Sequence, residues 1–109
     1  MAANVLTPSR FPGALTLDHA VKLAHNEDKP ILMDYWYDSL TARAFIGFET
    51  EAKIKKLVKS EDEYTSPISK IFQVGGPTKE TLDFIIMTEN SIYLVAGQIG
   101  KRELIKGRS

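Results

Sequence analysis

Histidine is the residue type that most often supplies a general base or a neutral metal ligand near pH 7, and this chain has two, His19 and His25. Both fall in a segment with helical spacing, where a separation of six residues leaves the two side chains roughly 120° apart. They therefore cannot share a metal ion, and solvated helix histidines are the favoured interpretation. Asp34 and Asp38 form a same-face carboxylate pair if the chain is extended there, which is a common arrangement in domains of any function.

Nucleophiles and phosphate-binding loops are also poorly indicated. The chain has no cysteine, which excludes disulfides, thiolate metal sites and cysteine nucleophiles. No serine lies in a G-x-S-x-G turn. The run Gly75-Gly76-Pro77-Thr78-Lys79 lacks the spacing of a P-loop, and Pro77 has no backbone N–H, so a hairpin loop is favoured. The sequence predicts no catalytic residue, no metal and no cofactor, and hence a protein that is not an enzyme.

Aromatic and hydroxyl side chains offer two candidate binding surfaces. In the run Tyr35-Trp36-Tyr37, a strand conformation makes at least one ring face away from the other two, where it could stack on a base or anchor a partner. Burial of the rings in a core that uses both faces of the strand is the favoured alternative. The second candidate is the loop Tyr64-Thr65-Ser66, for which ordinary turn chemistry is the commoner role.

Lysines at residues 53–59 form the third candidate surface. The cluster consists of Lys53, Lys55, Lys56 and Lys59. In a helix Lys53, Lys56 and Lys59 align, and in a strand Lys53, Lys55 and Lys59 do, so either conformation gives a three-lysine patch that could neutralise phosphates. The acidic run Glu61-Asp62-Glu63 offers local partners, and a solvated face of mixed charge is the favoured alternative.

The composition places these candidates in one small globular domain. The 109 residues are 43% hydrophobic and 26% charged, which is enough for a single core. Fourteen basic and fourteen acidic residues give no global field for nucleic acid or an anionic membrane. No segment has the ~20 apolar residues of a membrane helix, and no targeting signal is evident, so we expect a cytoplasmic protein that does not bind membranes.

The chain divides into three regions by pattern. Residues 1–14 contain Pro8, Pro12 and Gly13 and read as an irregular arm. Residues 15–100 read as a single domain that begins with a helix at residues 17–26, capped by Thr16 and followed by Pro30. Residues 101–109 read as a basic tail or, at residues 103–106, a short edge strand.

Strands follow the helix. Ile31 to Tyr37 reads as a strand with apolar residues on both faces, paired in a hairpin with a strand at residues 42–49. Residues 50–60 fit a helix and a strand equally well. Residues 68–74 alternate as a strand, and residues 82–88 and 91–96 are β-branched and aromatic runs joined at Glu89-Asn90, which predicts a hairpin.

The fold class that follows is α+β, with one N-terminal helix packed on a curved antiparallel sheet of about five strands, or on the same strands closed into a small barrel. A strand that is apolar on both faces needs a cover on its second face. The cover could come from curling of the sheet, from the helix or from a second subunit. We therefore expect a homo-oligomer.

Two resemblances to known proteins involve specific blocks. The stretch TLDHAVKLAHNEDKPILMDYW resembles the opening helix and strand of thioredoxin-like domains, but Tyr37-Asp38-Ser39-Leu40 stands where the C-x-x-C motif belongs, so no redox activity is carried over. The blocks KPILMDYW, LVKSEDEYTSPISKIF and FIIMTENSIYLV, within residues 29–96, are similar to short uncharacterised proteins of large double-stranded DNA viruses and bacteriophages. This similarity implies a viral protein that acts inside an infected cell.

The functional hypothesis is a non-enzymatic interaction or assembly module that self-associates through strand and aromatic surfaces. Another protein of the virus or host is a second class of partner. The alternative hypothesis is a small-ligand, nucleotide or single-stranded nucleic-acid binder. Its candidate residues, shared with the first hypothesis, are Tyr35, Trp36, Lys53, Lys56, Lys59, Tyr64, Thr65 and Ser66.

Overall fold

The computed structural model describes residues 10–104, which form two helices and seven strands. The helices are α1 (Ala14–Glu27) and α2 (Trp36–Leu40). The strands are β1 (Ile31–Leu32), β2 (Phe45–Glu49), β3 (Ile54–Val58), β4 (Ile68–Gly75), β5 (Leu82–Thr88), β6 (Ile92–Ala96) and β7 (Gly100–Glu103). They make a four-stranded sheet of order β1-β6-β5-β4 and a three-stranded sheet of order β3-β2-β7. The α+β class is confirmed.

The β5–β6 hairpin lies at the centre of the four-stranded sheet and confirms the clearest strand prediction. Ile85 is opposite Leu94, and the Thr88 N–H donates to the Ser91 carbonyl across 2.9 Å to close the turn. β4 pairs antiparallel with the other side of β5, whereas β1 pairs parallel with β6 through two residues. The predicted strand at 68–74 is thereby also confirmed.

The central strands of the four-stranded sheet, β5 and β6, are buried on both faces. The helix-side core contains Ala20, Trp36, Ile85, Met87, Ile92, Leu94 and Ala96. The core between the two sheets contains Tyr35, Ala44, Ile46, Leu57, Ile86, Val95 and Ile99. Successive residues of β5 and β6 therefore point into different cores, as the pleat of a strand requires.

The prediction of one antiparallel sheet of about five strands is wrong. The described residues form two open sheets of mixed direction, and neither closes into a barrel. The second sheet supplies the cover that the first needs, so the apolar faces of β5 and β6 are satisfied within one chain. Continuous apolar runs such as FIIMT are typical of strands buried in this way.

The predicted strand from Ile31 to Tyr37 is also wrong beyond its first two residues. Strand pairing stops at Leu32, and α2 begins at Trp36. Ser39 docks this short helix, because its hydroxyl donates to the Trp36 carbonyl at 2.6 Å and accepts from the Ala96 N–H at 2.9 Å. The alternation of apolar residues before α2 does not reveal the tertiary hydrogen bond from Ala96, which attaches the helix to β6.

The second sheet shows the conformation of residues 50–60, for which the sequence allowed a helix or a strand. It contains strand β3, antiparallel to β2, so the helical alternative is wrong. Pairing with β2 buries Leu57 completely, which a solvated helix would not do. The predicted hairpin between residues 31–37 and 42–49 is therefore wrong as well, since β2 pairs with β3 and, in parallel, with β7.

Helix α1 confirms the predicted helix but starts earlier. Its N-cap is Gly13, and Thr16, the predicted cap, is buried inside the first turn. Its C-cap is Asp28, which has a left-handed φ of 55°. Leu17 and Val21, two apolar residues of this helix, are exposed.

The predicted arm and the predicted tail lie at the two ends of the chain. Residues 1–9 of the predicted arm and residues 105–109 of the predicted tail lie outside the described residues. The described part of the tail contains β7, which starts three residues before the predicted edge strand at 103–106. None of the helices within residues 10–104 is long and apolar enough to cross a membrane.

Candidate functional site

The aromatic run at residues 35–37 is mostly inside the protein. Tyr35 and Trp36 are each 5% exposed, and Tyr37 is exposed on α2. Trp36 packs in the helix-side core, whereas Tyr35 packs between the sheets with its ring 5.4 Å from that of Tyr93 in an edge-to-face arrangement. Tyr35 and Trp36 therefore serve the two cores rather than a surface.

Burial also sets the acidity of the paired phenols. It raises the pKa of Tyr35 to about 12, and the nearby Asp34 carboxylate adds to the increase. Burial likewise raises the pKa of Tyr93, although a hydrogen bond with Ser91 opposes the change. Both phenols are protonated at neutral pH, so neither is poised to act as a base.

A buried polar cluster, which we call the Asp83 cluster, fixes the start of the described chain to β5. Asp83 is 2% exposed and accepts hydrogen bonds from Arg10 Nη1 (2.9 Å), the Gly13 N–H (2.9 Å) and Thr16 Oγ1 (2.7 Å). Arg10 also donates to the Leu82 carbonyl at 2.9 Å. A carboxylate from β5 thus takes the place of a local cap at the N-terminus of α1.

Trp36 completes the attachment of this segment. Its Nε1–H donates to the Arg10 carbonyl at 2.7 Å, and the Arg10 guanidinium lies 5.2 Å from the centre of the indole ring. Neither Arg10 nor Asp83 was among the site residues predicted from the sequence. The signal that could have found Asp83 is its position as the one charged residue in the apolar strand β5.

The predicted lysine surface is split by the structure. Lys59 lies near α2. Its ammonium is 3.7 Å from the Asp38 carboxylate, 3.9 Å from the Asp34 carboxylate and 4.7 Å from the centre of the Tyr35 ring. Its side chain is 18% exposed. Lys59 is therefore paired with acidic groups of its own chain.

Lys56 is also paired within the chain. Its ammonium lies 3.8 Å from the Glu49 carboxylate and 4.8 Å from the centre of the Tyr64 ring. Tyr64 is half exposed and, with Lys56, lines a shallow cleft of about 180 Å³ next to Leu104. Among the predicted site residues, the structure therefore brings Lys56 to Tyr64, as it brings Lys59 to Tyr35.

The other two residues of the predicted hydroxyl loop, Thr65 and Ser66, make hydrogen bonds that hold the loop in place. Thr65 is buried, and its hydroxyl accepts from the Leu57 N–H at 3.1 Å and donates to the Ser66 carbonyl at 2.8 Å. The Ser66 hydroxyl lies 3.5 Å from the Asn90 side-chain amide. These contacts tie the loop to β3 and to the β5–β6 turn.

Lys53 belongs to a different surface, which we call the lysine groove. The groove has a volume of about 320 Å³ and lies between β3 and the first half of β4. It is lined by Lys53, Lys55, Ile68, Ser69, Lys70 and Ile71. Within residues 10–104, no carboxylate comes within 4.0 Å of its three ammonium groups. Lys70 was missed, although a lone lysine in an apolar strand was a visible signal.

Strand β4 is the second exposed feature. It is an edge strand that pairs only with β5 among the described residues, and six of its eight residues are exposed. Ile71 and Phe72 are 38% and 36% exposed, and as neighbours in a strand they lie on opposite faces. Edge strands are usually protected by charges, prolines or a covering element, and β4 has only Lys70 and an irregularity in register between Ile68 and Lys70.

Chemistry that needs clustered ligands has no site in the part of the chain that the structure describes. No three His, Asp or Glu side chains gather there in a geometry that could hold a metal ion. His19 lies beside Phe72 in a groove between α1 and β4, and His25 is exposed elsewhere on the helix. Comparison of the chain with protein-family models, with curated proteins and with solved structures finds no match.

Proposed function

We propose that this protein is a non-enzymatic interaction and assembly module that self-associates through the free edge of β4. The observation that carries the proposal is the length and exposure of this edge strand, six of whose eight residues are open to solvent. Unpaired backbone N–H and C=O groups along such an edge are a template for another strand. Trp36, the aromatic residue first predicted for self-association, is buried, and Phe72 on β4 is the exposed aromatic residue that we assign to this role.

The second half of β4 is the part suited to pairing with a second copy. The irregular register ends at Lys70, and the last residue of β4 that lines the lysine groove is Ile71. The regular stretch from Ile71 to Gly75 has Gln73 at its centre and contains no charge. Two copies can therefore pair antiparallel about a two-fold axis at Gln73 without placing like charges opposite each other.

This register makes specific contacts. Phe72 of one copy lies opposite Val74 of the other, and Gln73 lies opposite itself. Because residues opposite each other in an antiparallel pair share a face, both α1 helices lie on the same side of one continuous eight-stranded sheet. The apolar groove between α1 and Phe72 then adjoins its counterpart at the axis. Lys70 of one copy lies opposite Gly76 of the other, so the two Lys70 side chains do not face each other.

The absence of cysteine from the chain permits a direct test of the register. A Gln73→Cys variant carries a single thiol, and in the proposed pair the two Cα atoms are about 4.5–5.5 Å apart, within the range of a disulfide. We expect mild oxidation to convert it to a covalent dimer of twice the 12.2 kDa chain mass. Light scattering on a size-exclusion column should show a reversible dimer for the unmodified protein.

Ser69→Cys is the matched control, because it places an exposed thiol on the same strand. In the proposed register the two Ser69 residues are displaced by eight positions, about 26 Å along the strand, and cannot be linked. Equal cross-linking of both variants would show random collision and not pairing about Gln73. The proposed function would be ruled out if the unmodified protein is a monomer at every concentration and Gln73→Cys cross-links no more than Ser69→Cys does.

A further inference from the structure

The lysine groove has an excess of positive charge that the described fold does not use. Lys53 and Lys55 line one wall and Lys70 the other, with Ser69 and the side chains of Ile68 and Ile71 along β4. By contrast, Lys56 and Lys59 on the same strand or just after it each lie within 4.0 Å of a carboxylate. The groove therefore presents three cations and an apolar strip to solvent.

The backbone at Lys53 is a second, independent observation. Lys53 closes the turn between β2 and β3 with its N–H donating to the Glu49 carbonyl at 2.8 Å, and it has a left-handed φ of 58°. Glycine or asparagine adopts that conformation at a lower cost than lysine does. The turn thus carries a lysine where backbone geometry alone favours another residue, and the side chain of that lysine lines the groove.

We infer that the lysine groove binds an extended acidic segment of a partner protein. Lys53 and Lys55 are two positions apart, which corresponds to about 6.6 Å in an extended chain. Carboxylates at alternate positions of an extended peptide have the same spacing and can pair with both ammonium groups. Lys70 also lines the groove from β4, and an apolar side chain of the segment packs on Ile71, which is 38% exposed.

The lining of the groove favours a peptide over single-stranded nucleic acid. Proteins that bind single strands combine cations with aromatic rings on which the bases stack. No aromatic side chain within residues 10–104 lines this groove, and Tyr64, an aromatic residue of the predicted binding site, lines a separate cleft with Lys56. The exposed apolar strip of Ile71 suits a peptide side chain.

The test measures fluorescence anisotropy of a short labelled peptide with glutamate at alternate positions and valine or serine between them. We expect the unmodified protein to bind it at low salt, and the triple variant Lys53→Gln, Lys55→Gln, Lys70→Gln to bind it about tenfold or more weakly. The control triple variant has the same change in net charge at exposed lysines elsewhere. Its substitutions are Lys22→Gln, Lys79→Gln and Lys101→Gln.

Each other outcome overturns the inference. Equal weakening by both triple variants would show attraction by net charge, without a site. Tighter binding of an oligothymidylate of similar charge than of the peptide would make the groove a nucleic-acid surface. No binding of the peptide by the folded protein would remove the site altogether. Of the β4 residues that line the groove, only Ile71 also belongs to the stretch proposed for self-pairing, so the two proposals can fail separately.

Discussion

The Asp83 cluster and the lysine groove are both built from charged side chains, but they differ in what those charges meet. In the Asp83 cluster the carboxylate is 2% exposed and receives three hydrogen bonds from its own chain. In the lysine groove three ammonium groups face solvent with no carboxylate of residues 10–104 within 4.0 Å. The first arrangement attaches Arg10 and α1 to β5, whereas the second contributes nothing visible to folding.

This difference separates charges that stabilise the fold from charges that remain for a partner. Lys56 and Lys59 are intermediate cases, because each is partly buried and lies near a carboxylate and an aromatic ring. Four lysines that are indistinguishable in the sequence therefore divide into two with structural contacts and two that line a groove. Substitutions in each region should separate stability from binding.

The largest expected effect is at Asp83. Asp83→Ala removes three hydrogen bonds and leaves Arg10, whose side chain is 25% exposed, without its carboxylate. Because breaking a buried ion pair leaves an uncompensated charge, we expect a loss of about 3 kcal/mol in the free energy of unfolding. Urea denaturation followed by tryptophan fluorescence measures this, since Trp36 contacts Arg10.

The lysine groove provides the matching control for that measurement. The triple variant Lys53→Gln, Lys55→Gln, Lys70→Gln should change the free energy of unfolding by less than about 0.5 kcal/mol per site, as exposed substitutions usually do. A groove variant as unstable as Asp83→Ala would contradict the separation of the two regions. Peptide binding by an Asp83 variant that is still folded should remain intact.

The second expected effect is on the pH dependence of stability. The pKa of Tyr35 is raised from 10.0 to about 12 in the folded protein, chiefly by burial. Below pH 10 the Tyr35 phenol is protonated in both the folded and the unfolded protein, so the contribution of the raised pKa to stability is fully present. As the pH rises from 10 to 12, ionisation favours the unfolded chain, and on the order of 2 kcal/mol of stability is lost.

A Tyr35→Phe variant isolates this contribution. It keeps the ring that packs near Tyr93 but has no phenol to ionise. The free energy of unfolding of the unmodified protein should therefore fall by on the order of 2 kcal/mol relative to that of Tyr35→Phe as the pH rises from 10 to 12. Parallel pH profiles for the two proteins would show that the Tyr35 phenol is not the group responsible.

A smaller effect is expected at Lys59. Lys59→Met removes the ammonium that lies between Asp34 and Asp38 and over the Tyr35 ring, while it keeps most of the apolar side chain. We expect a loss of about 1 kcal/mol that diminishes at high salt, since partly exposed ion pairs are screened. Lys55→Met is the control from the groove, and it should leave stability nearly unchanged. Equal effects of the two substitutions would mean that the pairing of Lys59 does not stabilise the fold.

The sequence predicts the strands whose periodicity agrees with their tertiary partners. The hairpin of β5 and β6 and strand β4 could be found because β-branched runs, a tight turn and alternation all indicate the same structure. The helix α1 could be found from its spacing, but not its start, because its N-terminus is capped by Asp83 from a strand some 70 residues later. A cap so distant in sequence has no local signature.

The errors have a similar physical cause. The segment from Met33 to Tyr37 alternates like a strand, yet Ser39 and Trp36 make hydrogen bonds to β6 and to Arg10 that only the folded chain brings together. The division of the lysines depends on β3 being a strand, which places Lys55 and Lys56 on opposite faces. Local pattern could therefore nominate Lys53, Lys56 and Lys59 but could not show which of them were paired.

The smallest expected effect links stability to binding at one residue. Lys53→Gly relieves the left-handed backbone of the turn and should raise the free energy of unfolding by about 0.5 kcal/mol, because the gain is partly offset by the greater entropy of glycine in the unfolded chain. The same substitution removes one cation from the lysine groove and should weaken binding of the acidic peptide. Lys53→Gln separates the two causes, since it keeps the backbone strain but loses the charge, and should weaken binding without a gain in stability. If Lys53→Gly stabilises the protein and leaves peptide binding unchanged, the ammonium of Lys53 is not part of the binding surface.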